Sequence, residues 1–190
     1  RETFEEAGFL LAREKGDDAL MDGERCAVLG AAYRDAVHAG EMTIKDVAEK
    51  ERLTLACDHI VPFAHWITPS QFPKRYGTWF FLAAAPHGQI GFHDNKESVD
   101  SLWINPQKAL ARARDKTYKI VFATRMNLHK VGGSDTVESA LAAARADKIV
   151  TVEPIVTHVT GGVSFTIPLE AGYGIDQEIE TDGSTKLPKP

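Results

Sequence analysis

The chain is 190 residues long, 43% hydrophobic and 26% charged, enough to bury a core as one domain with room for an insertion. Its 22 basic and 27 acidic residues leave a net charge of -5, so it offers no general attraction to a nucleic-acid backbone or an anionic membrane, and a polyanionic substrate must be held by local cations or metal. Cys26 and Cys57 lie far apart with no CxxC pattern, no apolar run reaches the roughly 18 to 20 residues of a bilayer span, and the first residues do not resemble a signal peptide. The expectation is a reduced, cytoplasmic chain with two buried thiols, no nucleic-acid or membrane partner, and neither a zinc site nor a disulfide framework.

In chain order, residues 1–7 carry helix-favouring Glu and Ala and stop at Gly8, a C-cap, and Phe9-Leu10-Leu11-Ala12 reads as a short buried strand. A turn at 16–23 precedes a helix over 24–38 that places Ala27, Val28, Ala31, Ala32 and Val37 on one side. Thr43 with Asp46 opens a second short helix to about Arg52, so 24–52 reads as a helical insertion. Strands follow at His59–Ile67 and Tyr76–Ala83, the second expected to be buried, then a loop over 86–96 and a short strand at Ser101–Ile104. Pro106 starts a helix ending near Arg114, and Asp135-Thr136-Val137-Glu138 caps the Ala-rich segment 138–146. Ile149–Val159 and Val163–Leu169 form a hairpin at Gly161-Gly162, and residues 181–190 read as a flexible tail behind a single domain spanning 1–180.

The chemistry concentrates at the start. On a helix, Glu2, Glu5 and Glu6 project at about 0°, 300° and 40°, within an arc of roughly 100°, and no lysine relieves them. Like charges at this spacing repel by a few tenths of a kcal/mol each, whereas a hard divalent ion such as Mg²⁺ takes carboxylate oxygens and keeps places for water and phosphate. A solvated acidic face is the plainer meaning of a short charge run. Against it, the string Arg-Glu-x-x-Glu-Glu-x-Gly arises by chance in such a chain with a probability on the order of 10⁻⁴.

That string, Arg1-Glu2-Thr3-Phe4-Glu5-Glu6-Ala7-Gly8-Phe9, resembles the C-terminal half of the Nudix box, which reads Gly, five residues, Glu, seven residues, then Arg-Glu-hydrophobic-x-Glu-Glu-x-Gly-hydrophobic. Thr3 stands where the box prefers an aliphatic residue, and Phe9 fills the last hydrophobic position. The resemblance implies that Glu2, Glu5 and Glu6 ligate Mg²⁺ or Mn²⁺, with Glu2 or Glu6 in the catalytic step and Arg1 orienting a glutamate of the cluster. It also implies hydrolysis of a nucleoside diphosphate linked to another moiety. The box's first Gly and first Glu, and the strands before it, are expected upstream of Arg1.

Further on, His65-Trp66-Ile67-Thr68-Pro69 and Pro73-Lys74-Arg75-Tyr76-Gly77-Thr78-Trp79-Phe80-Phe81 are similar to the signature of a Nudix branch whose best-known members are peroxisomal CoA and acyl-CoA diphosphatases. Gly77 stands where relatives often carry Asp. The insertion at 24–52, Trp103 with Pro106, and Thr124-Arg125-Met126-Asn127-Leu128 fit the same branch. The implied fold is α/β (α+β), a mixed sheet sandwiched between helices, and the implied substrate is CoA or acyl-CoA. ADP-ribose or a dinucleotide, or a non-catalytic Nudix-fold binding module, are the alternatives. Glu97 is the expected distal metal ligand, with Asp94 and Asp100 as rivals. Arg75 would bind substrate phosphate or tie down its loop through an ion pair, while Trp66, Trp79 and Phe80 are expected in the core. The small-molecule substrate is the expected partner, with a homodimer left open, and the ending Leu187-Pro188-Lys189-Pro190 carries no peroxisomal tripeptide.

Overall fold

The computed structural model describes residues 1–93 and 100–181. They group into two compact units, one of Arg1–Ile60 with Ala83–Trp103, the other of Val61–Leu82 with the chain from Ile104 onward. Both mix helix and sheet, as expected. Most of the tail expected over 181–190 lies outside the described residues.

The first unit begins with α1 (Glu2–Ala7), which ends where Gly8 turns left-handed at φ 73°. The amides of Gly8 and Phe9 return to the carbonyls of Phe4 and Thr3, both at 3.2 Å, closing the open end of the helix. The expected strand at Phe9–Ala12 is displaced to β1 (Ala12–Glu14), because an antiparallel partner exists only there: β2 (Leu53–Leu55) pairs Ala12 with Leu55 and Glu14 with Leu53. Between them lie α2 (Gly23–His38) and α3 (Ile44–Lys50). Asp22 caps α2 through the Arg25 amide, and Thr43 with Asp46 forms a reciprocal capping box on α3.

The buried face of α2 differs from the expected one. Cys26, Leu29 and Val37 are buried, with Tyr33 packed against the same cluster, whereas Ala27, Val28, Ala31 and Ala32 are exposed. The larger side chains at spacings of three and four residues remove more apolar area from water than the alanine stripe could. They join Phe4, Leu10, Ala12, Met21 and Val47 in this unit's core. Cys57, expected to be buried, is exposed; only Cys26 is inside.

The second unit holds two sheets. In one, β3 (Val61–Ile67) lies between β4 (Gly77–Leu82), antiparallel, and β5 (Thr151–Val152), parallel. In the other, β6 (Ile155–Val159), β7 (Gly162–Thr166) and β8 (Gln177–Glu180) are antiparallel, with the β6–β7 hairpin turning where expected. The helices are α4 (Pro106–Arg114), α5 (Phe122–Val131) and α6 (Val137–Ala146); α4 packs on α5, and α6 on β3.

Two expectations fail in the Trp-rich segments. The buried strand is β3, its Val61, Phe63, Ala64 and Trp66 inside, while β4 lies at the sheet edge with Trp79 half-exposed and Phe80 only partly buried. Ser101–Ile104 forms no strand and Trp103 is exposed, since no strand among the described residues pairs with its backbone. Trp66 is the aromatic centre of the second core: its indole N–H donates to the Tyr173 hydroxyl at 2.9 Å, and that hydroxyl donates to Asn127 Oδ1 at 2.9 Å.

Candidate active site

Six residues make a marginal helix on their own, so α1 needs anchors. Phe4 supplies one, being 2% exposed in the first unit's core. Arg34 supplies another from α2: its Nε donates to the Glu5 carbonyl at 2.8 Å and an Nη donates to the Phe92 carbonyl at 2.9 Å, with the guanidinium 4.4 Å above the Phe92 ring. The Phe92 amide in turn donates to the Ala7 carbonyl at 3.1 Å. Gln89, buried, extends the same loop's hold by accepting from the Leu10 amide and donating to the Leu10 and Met21 carbonyls, each at 3.0 Å. The loop approaches closely at Gly91, where a Cβ would meet the Phe9 ring at 2.3 Å. None of these contacts was foreseeable from motif spacing.

On this platform the three glutamates differ. Glu5 is buried, its side chain 5% exposed, and one Arg1 Nη donates to both of its carboxylate oxygens at 3.0 and 2.7 Å. A carboxylate out of water needs such a partner. The other Nη of Arg1 pairs with Glu2, which is exposed. The Glu5 hydrogen bonds, followed by the charges of Glu2 and Glu5, push the Arg1 guanidinium further up from its ordinary value, so Arg1 stays charged. Arg1 thus contacts the Glu5 carboxylate directly. Glu6 is half-buried and lines a cleft of about 280 Å³ with Phe9, Phe92, His93, Asp100 and Trp103. Asp100 thus shares a cleft with Glu6, while Glu97 and Asp94 lie outside the described residues.

Three carboxylates on one helix face are the right donors for a hard divalent ion. Yet Arg1 already engages two of them, and among the described residues no group of three or more His, Cys, Asp or Glu side chains could hold a metal. The described carboxylates by themselves do not make up a metal centre.

Arg75 belongs to the second unit. Its Nε donates to the Thr68 carbonyl at 2.9 Å and an Nη pairs with Glu153 at 2.6 Å, which ties the loop between β3 and β4. The same unit contains a partly buried arginine that the sequence did not single out for chemistry: Arg125 reaches both Glu178 and Glu180, the latter at 2.6 Å. Burial opposes its charge, but the hydrogen bonds of Glu180 and Glu178 outweigh that and leave its pKa raised.

Comparison with known proteins gives the chain's family and fold. Residues 1–124 match the family model described as the NUDT19 Nudix domain. Among solved structures, the chain is similar to the crystal structure of a NUDIX hydrolase from Alicyclobacillus acidocaldarius, at 23% identity and a TM-score of 0.55, over 74% of this chain and 62% of that one. At that identity the likeness establishes the fold, and this chain spans 62% of its relative's length. No curated protein matches the sequence.

Proposed function

Because this chain belongs to the Nudix family, in the group described as the NUDT19 Nudix domain, we propose that it hydrolyses a diphosphate linkage in a nucleoside diphosphate derivative, with CoA or acyl-CoA as its substrate and Mg²⁺ or Mn²⁺ as its cofactor. The observation that carries the reading is the acidic helix, with Glu5 buried and held by Arg1 and Glu2 and Glu6 beside it. The metal requirement rests on family membership and on that three-carboxylate face, with Glu2, Glu5, Glu6 and Glu97 as the ligands.

In the proposed reaction, water attacks phosphorus and the diphosphate P–O bond breaks, giving two phosphate monoesters. Glu2, solvent-facing at the helix start, takes the proton from the attacking water, a role suited to a carboxylate within hydrogen-bond reach. Glu6, in the cleft, is the second catalytic carboxylate. Arg1 holds the Glu5 carboxylate in place at the helix start before substrate arrives. Arg75, in the second unit, keeps part of its guanidinium unengaged by Glu153 and Thr68 and is the proposed phosphate-binding residue of that unit. The substrate is the partner; the site of action is the cytoplasm.

A binding module without turnover is the second reading, favoured by Arg1 engaging two of the three glutamates of the helix face. The two separate in one experiment. Full-length protein with Mn²⁺ or Mg²⁺ is incubated with CoA, acyl-CoA, ADP-ribose and NADH, and products are identified by mass. Phosphopantetheine and adenosine bisphosphate from CoA support the proposal; release of AMP only from ADP-ribose or NADH moves the substrate to that class. Binding without any product leaves the module.

A further inference from the structure

The second unit holds two adjoining clefts of opposite character, and no step proposed above uses either. One, of about 490 Å³, is lined by Trp66, Phe72, Phe80, Phe122 and Phe165. The other, of about 550 Å³, is lined by Arg114, Lys116, Lys119 and Arg125. They meet at Lys119, Ile120 and Glu180, which line both. Each volume falls in the range of small-molecule sites.

Charge decides what the pair selects. The second cleft has four cationic side chains against two carboxylates, Glu178 and Glu180, and both carboxylates are paired with Arg125. Arg114, Lys116 and Lys119 are exposed and form no ion pair among the described residues. In a chain of net charge -5 this is a local reversal of sign beside an apolar trough. Cations at a low-dielectric edge concentrate anions, and an apolar wall rewards a tail in proportion to the area it buries.

We infer that these two clefts form one binding site for a single-chain anionic amphiphile, its apolar tail along Trp66, Phe80 and Phe165 and its phosphate or carboxylate head at Lys116 and Lys119. The inference rests on the second unit alone and stands even if the chain hydrolyses no diphosphate. Val121, 66% exposed, lines the apolar cleft and gives a place to disturb the site without touching the core.

The test is calorimetric titration of full-length protein in metal-free buffer, below the critical micelle concentration, with decyl phosphate, decanoate, decyltrimethylammonium and inorganic phosphate. One-to-one binding of decyl phosphate or decanoate is expected, at least tenfold tighter than the cationic amphiphile or phosphate alone, and the tighter of the two anions identifies the head group. Two further methylenes should tighten it about tenfold. Lys116→Ala with Lys119→Ala, and separately Val121→Glu, should each weaken it at least tenfold with Tm unchanged. Equal binding of the cationic amphiphile, indifference to these substitutions, or no saturable binding would overturn the inference.

Discussion

The two units achieve order by different means. The first, which carries the acidic helix, is laced with charge: Arg1 to Glu5, Arg13 to Asp58 at 2.7 Å, Arg25 to Glu14 and Glu51 at 3.0 and 2.9 Å, and Arg34 to two carbonyls. The second is built on aromatic burial, with Phe122 stacked on Phe165 at 4.6 Å and Trp66 edge-on to Phe122 at 5.8 Å. Its main buried polar chain runs from Trp66 through Tyr173 to Asn127. The lesson is one of emphasis: both units pair arginines with carboxylates, as Arg75 with Glu153 and Arg125 with Glu178 and Glu180 show in the second, but the second adds to these pairs a core of packed aromatic rings. Exposed ion pairs contribute little each, and buried aromatics much.

This contrast can be broken most directly in the aromatic core. Trp66→Ala removes a side chain 4% exposed and should cost about 3 to 5 kcal/mol, read by denaturant unfolding. The next effect is smaller. Tyr173→Phe leaves the Trp66 N–H and the Asn127 carbonyl oxygen without their partner and should cost about 1 to 3 kcal/mol.

Tyr173 also sharpens the contrast with pH. Burial pushes its hydroxyl up to about 12, above the unfolded value near 10. The stability it contributes is complete below about pH 10 and is lost as pH rises towards 12, on the order of 1.4 kcal/mol per unit. Tyr173→Phe should flatten that alkaline slope. In the first unit the sign reverses. Thr43 hydrogen bonds hold Asp46 low, Tyr33 and then Arg25 hold Glu51 low, and Arg13 holds Asp58 low. Their contribution is present above the unfolded carboxylate values near 4 and disappears as pH falls through the lowered folded values. Hydrogen exchange should therefore speed up first in α3, β2 and the segment around Asp58 on acidification. The smallest effect is expected from Arg13→Gln at neutral pH, a Tm shift of no more than about 3 °C. A loss matching that of Trp66→Ala would contradict the contrast.

Much of the local structure could be read from single residues with strong backbone preferences. Gly8 ends α1, Asp22 and Thr43 start α2 and α3, Pro106 opens α4, and Gly161 turns the β6–β7 hairpin. What escaped depends on partners distant in sequence. The three-residue strands β1 and β2 exist because each receives the other, and Ser101–Ile104, equally strand-like in composition, has no such neighbour among the described residues. Helix α5 starts at Val121 with no side-chain cap and carries Thr124, Asn127 and His129 inside it, so neither a start signal nor a clean apolar period marks it.

The site divides the same way. Arg1 and Glu5 pair at an i,i+4 spacing that a helix dictates, so their contact was legible from the motif. Arg34 and Gln89 bond to backbone carbonyls, which leave no trace in side-chain patterns. They position the acidic helix without belonging to the motif.

The central claim is that the face of α1 performs metal-dependent hydrolysis, and Glu6→Gln tests it most directly because the change keeps side-chain size and removes one charge. The measurement is kcat/KM for CoA hydrolysis by full-length protein with Mn²⁺, alongside Tm. The account predicts a fall of roughly 100-fold or more, with Tm within a few degrees of the parent. Parent-like turnover by Glu6→Gln would contradict it.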